Sequence, residues 1–264
     1  MLLGTLTETR HQRILERLLQ ERGVKAASVA DELGVSTETI RRDLQRLESE
    51  GRLKRVYGGA IPLGRELPPL HVRMQQNRAG VEAIAKVVAP LVEQDQWLYL
   101  SGGASLIPVA HQLADGPRLK VMTHMPAVAD ALVGAADHEI HLTGGRYHPA
   151  HRILQGDGVF DSIAGRLFDL AIIGAHGLHP DHGAVDTVEF LSRLKRRLIG
   201  RARRCIWICD SSGFDVEAHF LTAPFEELGT LVTDERPGGA LIAGLEDAAV
   251  DLIVAQEALA KSDR

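Results

Sequence analysis

The sequence predicts an α/β protein in two parts, a small helical head and a larger, mostly parallel α/β body. Three observations predict it. Residues 1–61 carry helical periodicity punctuated by glycines and end in a short alternating segment. Pro62, Gly64, Pro68 and Pro69 then interrupt any helix or central strand. Beyond them short apolar runs alternate with helical stretches, the pattern of a parallel sheet covered on both faces.

In the head, residues 6–22 place Ile14, Leu15, Leu18 and Leu19 on one helical stripe, and Gly23 is a left-handed stop. A short helix through Val29, Ala30 and Leu33 follows and ends at Gly34, with only Lys25 or Ala26 to open it. Ser36 is a better start signal. Its hydroxyl can accept from the free amides of a helix opening at Thr37, and Glu38 suits the first turn. That helix carries Ile40, Leu44 and Leu47 at i, i+4 and i+7 and stops at Gly51. Residues 52–61 alternate around Gly58 and Gly59, as a hairpin does. In the body, strands are expected near 97–100, 119–123, 139–143, 170–174, 204–209, 230–233 and 252–254. Helices are expected between most of them, including 81–92, 105–113 and 188–202. The expected division is a head over 1–61, a linker over 62–78 and a body over 79–264.

Composition narrows the class. The chain has 264 residues, 45% hydrophobic and 25% charged, which excludes collagen-like, coiled-coil and disordered proteins. Its apolar runs, such as 169–175, stop well short of the ~20 residues a bilayer span needs. The start MLLGTLTETR lacks the basic region and long apolar core of a secretory signal. Cys205 and Cys209 are too few and too close for a disulfide framework. A cytoplasmic protein is expected. Net charge is −5, yet residues 1–61 carry 11 Lys and Arg against 9 Asp and Glu, and the remainder 19 against 26. A mildly basic head on an acidic body suits a small nucleic-acid module joined to something else. Aromatics at 4% argue against a stacking platform for RNA or single strands.

The helix from Thr37 has what a major-groove reader needs, since a groove ~12 Å wide admits one helix and its first residues reach base edges. Ser36, Thr37, Glu38 and Thr39 open it, and Arg41, Arg42 and Arg46 follow as base or phosphate contacts. Lys54, Arg55 and Tyr57 on the hairpin can hold the adjacent backbone as a wing does. The competing reading is a solvated face whose arginines pair with Asp43 and Glu50.

The segment VSTETIRRDLQRLESEGRLKRVYGGA resembles the winged helix-turn-helix of the DeoR family of regulators. Val35, Ser36, Thr39 to Leu44, Leu47, Glu48, Gly51, Leu53, Arg55 and Gly58 to Ala60 match its pattern, and Tyr57 stands where the family usually has histidine. The resemblance extends more loosely through the body. It implies a C-terminal sensor domain similar to ribose-5-phosphate and aminosugar-phosphate isomerases, with strand-end loops that hold a phosphorylated sugar or related metabolite.

The residues suit that expectation, because open parallel sheets bind ligands beyond the carboxyl ends of their strands, where helix N-termini favour anions. Ser101-Gly102-Gly103-Ala104-Ser105 follows one strand, Thr123-His124 the next, Gly144-Gly145-Arg146 the one after, and Gly174 with His176 a fourth. Gly103 is expected where a backbone amide must approach the ligand, Lys195 to offer a cation, and Asp210 and Ser211 to add polar contacts. Several positions depart from the family. Its usual D-S-G-T-T is Leu100-Ser101-Gly102-Gly103-Ala104-Ser105, T-N-S is Thr123-His124-Met125, and the lysines of D-S-S-K-F and E-K-x-x-I-A are Gly213 and Val81. Those losses admit a weakly phosphorylated, sulfonated or neutral sugar. His176-x-x-His179-x-x-His182 with Asp181, and His148-x-x-His151, contain good zinc ligands, but loop spacing alone does not set a tetrahedron. Solvated histidines are expected there, with His124 and His176 hydrogen-bonding a sugar hydroxyl and no metal or cofactor.

The expected function is a transcriptional repressor of a carbohydrate-use operon, a homodimer or homotetramer that binds double-stranded operator DNA until a small, phosphorylated sugar-derived effector releases it. The alternatives are a sugar-phosphate isomerase with an accessory DNA-binding head, using Asp210, Glu189 or Asp186 as base, and an activator of the same architecture.

Overall fold

Glycine and serine punctuation shapes the head. Helix α1 spans Leu2–Glu21, and a short strand β1 (Val24–Lys25) leads into α2 (Ala26–Leu33). Gly34, at φ 62°, ends α2 in the left-handed region that favours glycine. Helix α3 (Thr37–Ser49) then precedes the hairpin of β2 (Leu53–Val56) and β3 (Gly59–Pro62). The three strands order β1-β3-β2, all antiparallel. A Cβ on Gly59 would stand 1.8 Å from the Val24 carbonyl oxygen, so only glycine lets β3 approach β1. Ile14, Leu18, Val29, Ile40, Leu44, Leu47 and Leu53 close the core beneath. Each contributes roughly 1.5–3 kcal/mol by leaving water.

This computed structural model describes residues 2–21, 24–49, 52–56, 58–62 and 69–262. The expected stops Gly23 and Gly51, and the wing residue Tyr57, lie outside the described residues, as does the side chain of Lys54. The chain divides into two compact units, Met1–Pro68 and Pro69–Arg264.

The second unit begins with α4 (Leu70–Arg73) and α5 (Arg78–Val88), followed by β4 (Trp97–Leu100), α6 (Leu106–Leu113), β5 (Lys120–Thr123), α7 (Pro126–Ala131) and β6 (Glu139–Leu142). A hairpin β7 (Arg146–His148) and β8 (Ile153–Gln155), α8 (Asp157–Ile163) and β9 (Phe168–Gly174) come next. Then follow β10 (Gly177–His179), β11 (Gly183–Asp186), α9 (Glu189–Ile199), β12 (Ala202–Ile208) and β13 (Phe220–Ala223). The unit ends with β14 (Thr230–Thr233), α10 (Gly239–Asp247), β15 (Asp251–Val254) and α11 (Ala255–Ser262).

Seven strands form one parallel sheet in the order β15-β14-β12-β9-β4-β5-β6. They are the seven apolar runs expected from the sequence. Tyr99, Phe168, Ile173 and Trp207 form part of the core along the sheet. The chain winds outward one way from β4 and the other way from β9, so these neighbours form the switch point where ligand crevices open.

Two expectations need correction. The linker does not reach 78. Leu70 and Val72 of α4 are buried, and Asn77 caps α5 by accepting from the Gly80 amide at 3.3 Å, so residues 69–78 belong to the second unit. The histidine-rich segment 176–182 is not a plain loop. β10 pairs antiparallel with β11, and β11 with β13.

Candidate functional site

Helix α3 has two unlike faces. Ser36 caps it, its hydroxyl accepting from the Thr39 amide at 3.1 Å and lying 2.8 Å from the Thr39 hydroxyl. Thr37 is half-buried behind this cap. Arg41 and Arg42 are 67% and 78% exposed and pair with Glu38 at 3.9 and 3.5 Å. Exposed pairs of that length contribute little, so both guanidiniums remain available to DNA. Arg46 is exposed further along the helix, and Arg55 of the wing holds Glu48, its amide donating to Oε1 at 2.8 Å.

Asp43 does not join these arginines, contrary to the competing reading. It is buried on the opposite face, where Arg10 donates through Nε at 2.5 Å and Nη2 at 3.0 Å, and His11 Nε2 lies 3.0 Å away. Burial pushes the Asp43 carboxyl up, but the bonds to Arg10 and His11 outweigh it and hold it below the usual carboxylate range. The triad ties α1 to α3. Glu50, the other acid of that reading, lies outside the described residues.

In the second unit, Ser101 joins the two strands of the switch point. Its amide donates to the Ile172 carbonyl at 3.0 Å, and its buried hydroxyl accepts from the Gly174 amide at 3.2 Å. The close approach falls at Gly102, not at Gly103. A Cβ on Gly102 would lie 2.6 Å from His124 Nε2, whereas one on Gly103 meets nothing nearer than Leu106 Cδ2 at 3.4 Å. The Gly103 amide points at Met125 Sδ, 3.3 Å away, and Ala104 and Ser105 lead half-buried into α6.

His124 is the most informative side chain here. It is buried and stacks on Tyr99, with Nδ1 3.0 Å from the Tyr99 hydroxyl. Its Nε2 is buried without a partner and faces Gly102. Burial, helped by the Lys195 charge, pulls its pKa down to about 3, so the ring is neutral at physiological pH. Thr143 at the end of β6 also carries a buried, unpartnered hydroxyl, whereas the Thr123 hydroxyl accepts from the Met125 amide.

The remaining expected residues serve mainly to hold the site. Gly144 donates to the Ser162 hydroxyl at 3.0 Å, Gly145 sits at φ 124° against Gln155, and Arg146 is exposed on β7. His176 is half-buried after β9. Asp210 and Ser211 belong to a network rather than an open contact surface. Asn77 Nδ2 lies 2.6 Å from Asp234 Oδ2, 3.2 Å from Ser211 Oγ and 3.3 Å from Asp210 Oδ1, and the Ser211 hydroxyl donates to Asp234 at 2.9 Å. Lys195 is not a free cation. Its Nζ donates to Asp186 Oδ2 at 2.6 Å, and both side chains are buried. Asp186, Asp210 and Asp234 each accept hydrogen bonds from neighbouring groups.

Four of the other histidines pair by stacking. His179 and His182 lie 4.5 Å apart between ring centroids, as do His148 and His151. Among the described residues, no group of three or more His, Cys, Asp or Glu could hold a metal ion. Sequence reasoning missed Asn77, Tyr99 and Asp234. Asp234 follows the expected strand 230–233 directly, a signal that could have found it.

Two family profiles match the chain. The DeoR-like helix-turn-helix domain covers residues 10–64, and the DeoR C terminal sensor domain covers 76–235. The HTH-type transcriptional repressor GlcR of Bacillus subtilis is 28% identical over 257 residues, 95% of this chain and 97% of that protein. The glycerol-3-phosphate regulon repressor of Escherichia coli is 28% identical over 244 residues, 92% of this chain and 97% of that protein. The HTH-type transcriptional regulator GlpR of Haloferax volcanii is 29% identical over 232 residues, 87% and 90% of the two chains. A solved ribose 5 phosphate isomerase A from Neisseria gonorrhoeae aligns at TM-score 0.36 and 10% identity over 51% of this chain and 52% of its own, too distant to bear on function.

Proposed function

The chain belongs to the DeoR family of transcriptional regulators, and we propose that it represses a carbohydrate-use operon until a small sugar-derived effector lowers its affinity for operator DNA. The head is a DNA-binding helix-turn-helix with Arg41 and Arg42 on the open face of its second helix. Relatives matched over about nine-tenths or more of both chains are named as regulators rather than isomerases, which favours a sensor over a catalyst.

The observation that carries the sensing role is the buried, unpartnered Nε2 of His124, at the end of β5 and packed so closely on Gly102 in the loop after β4 that a Cβ there would stand 2.6 Å away. A buried polar atom left unmatched costs about 1–3 kcal/mol, which a ligand hydroxyl would recover. The effector class is a polyol or sugar, phosphorylated at one end, in keeping with a relative named for glycerol 3-phosphate. By linkage, operator DNA weakens effector binding by the same factor that effector weakens operator binding. One head contacts a few base pairs, so a homodimer or homotetramer on a symmetric operator follows, with half-sites about 34–36 Å apart. A repressor of cytoplasmic genes acts in the cytoplasm, and among the described residues no helix is long and apolar enough to cross a membrane.

The test starts by selecting duplexes from fragmented genomic DNA with the full chain, then titrating sugar and polyol phosphates against the bound duplex. The expected result is one specific site, released by one ligand class. Gly102→Val should press into the His124 ring, where a Cβ would stand 2.6 Å from Nε2, and keep operator binding while abolishing release. Release of the variant at wild-type ligand concentrations would place the effector elsewhere.

A further inference from the structure

Helices α8 and α9 set exposed charges of both signs around two aromatic rings. On α8, Asp157, Phe160 and Asp161 fall at i, i+3 and i+4 and so share one face, while Val159 and Ile163 turn into the core. On α9, Phe190, Arg193 and Arg197 fall at i, i+3 and i+7 and share a face, with Leu191, Leu194 and Leu198 buried behind them. The two faces meet. The Phe160 and Phe190 rings lie 5.5 Å apart edge to face, and the Arg193 and Arg197 guanidiniums stand over the Phe160 ring at 5.4 and 5.2 Å.

Stacking, not ion pairing, holds the two arginines there. Both are exposed, as are Asp157 and Asp161, and none of the four forms an ion pair with another described residue. Glu189, one turn before Arg193 at the spacing that favours a pair, does not engage it either. The half-buried phenylalanines make an apolar centre and the charges make its rim, which is the anatomy of a protein–protein contact. Aromatic and arginine side chains carry much of the binding energy in such contacts. Guanidiniums already held on a ring also lose less side-chain freedom on association.

The spacing of the charges points to the occupant. Asp157 and Asp161 are four residues apart on α8, and Arg193 and Arg197 are four apart on α9. Each pair therefore spans about 6 Å along its helix. Carboxylates of one copy match guanidiniums of another, and a two-fold axis satisfies both sets at once. A purely acidic or purely basic partner would leave half of these charges facing their own sign.

We propose that the α8/α9 face is the contact between two copies of this chain, with Asp157 and Asp161 of each copy set against Arg193 and Arg197 of the other. The assignment rests on the homo-oligomer that a symmetric operator calls for, and it names the surface that forms it. It also places that surface beside the sensing histidine, because the Phe190 ring meets the His124 ring edge to face at 6.5 Å.

The test uses the full chain and two charge-reversed variants, Asp157→Arg with Asp161→Arg, and Arg193→Glu with Arg197→Glu. Sedimentation velocity reads the assembly state in ~0.15 M salt, where a Debye length of about 8 Å screens net charge. The wild type should be a dimer or tetramer. Each variant alone should self-associate at least about a hundredfold more weakly, because like charges then meet across the axis. An equimolar mixture of the two should recover the wild-type state as a mixed assembly, since every contact again joins opposite signs. Melting curves identify any variant that misfolds. The neutral changes Asp157→Asn with Asp161→Asn, or Arg193→Gln with Arg197→Gln, then take its place and should weaken association at least about fivefold. If a folded charge-reversed variant assembles like wild type, or the mixture stays apart, the α8/α9 face is overturned and the oligomer stands on another surface. If the wild type is itself a monomer at micromolar concentration, the homo-oligomer reading and this contact fall together.

Discussion

Replacing Asp43 by asparagine should loosen the head without touching its DNA-facing surface. The carboxylate receives Arg10 at 2.5 and 3.0 Å and lies 3.0 Å from His11 Nε2, with the Arg10 side chain 19% and the Asp43 side chain 9% exposed. Removing one partner of a buried pair costs ~3–5 kcal/mol because the other charge is left unmatched. Residual water at Arg10 and the amide oxygen kept by asparagine reduce that to about 2–3 kcal/mol. A domain of this size holds only ~3–9 kcal/mol in all, so the change removes a large share. Calorimetry of the full chain should show an early transition shifted down and a second, for the sensor unit, unmoved. The deficit should shrink in acid. The folded-state pKa of Asp43 is lowered, so its stabilisation is complete above the unfolded value near 4 and fades as pH falls through the folded one. A change below about 0.5 kcal/mol at pH 7 would refute the claim that this triad fastens α1 to α3.

Arg41→Ala and Arg42→Ala should do the opposite, leaving the melting profile within about 0.5 kcal/mol and weakening specific operator binding by ~1–3 kcal/mol each in mobility shifts. Unchanged operator affinity for both would remove α3 as the reader. Lys195→Met should destabilise the sensor unit by about 3–5 kcal/mol, because Asp186 is left buried and unpaired; urea unfolding reads it, and a stable variant would mean the pair is solvated. The sensor unit should also be acid-labile. His124 has a folded pKa of about 3 against about 6.5 unfolded, so stability falls as pH drops through that window, by up to ~1.4 kcal/mol per unit. Urea midpoints between pH 7 and 4 measure it, and His124→Gln should flatten the slope.

Much of the architecture was legible because its signals are local. All but one of the seven parallel strands are apolar runs that lead into glycine or polar residues, β15 running straight into α11, and the Ser36 cap lies within three residues of its partner. The parts missed depend on distant partners. The hairpins at 146–155 and 177–186 have strands of three or four residues, too short for alternation to register. The prolines before Leu70 masked α4, whose helix exists because Leu70 and Val72 bury against the body. Lys195 looked like a free cation until β11 and α9 brought Asp186 to it. The inward turn of Asp43 had a readable sign, since it falls three residues after Ile40 on the buried stripe. Which of two adjacent glycines makes the close approach depends on the position of His124, and no spacing encodes that.

The central claim is that one chain couples operator binding to effector binding, and reciprocal linkage tests it most directly. The measurement is the Kd of the releasing phosphate ligand for the full chain, alone and saturated with its selected operator duplex, beside the operator Kd with and without that ligand. The account predicts that both affinities fall by one common factor, within error, and that Gly102→Val abolishes the factor while retaining operator binding. A ligand that binds equally well with and without operator would contradict it.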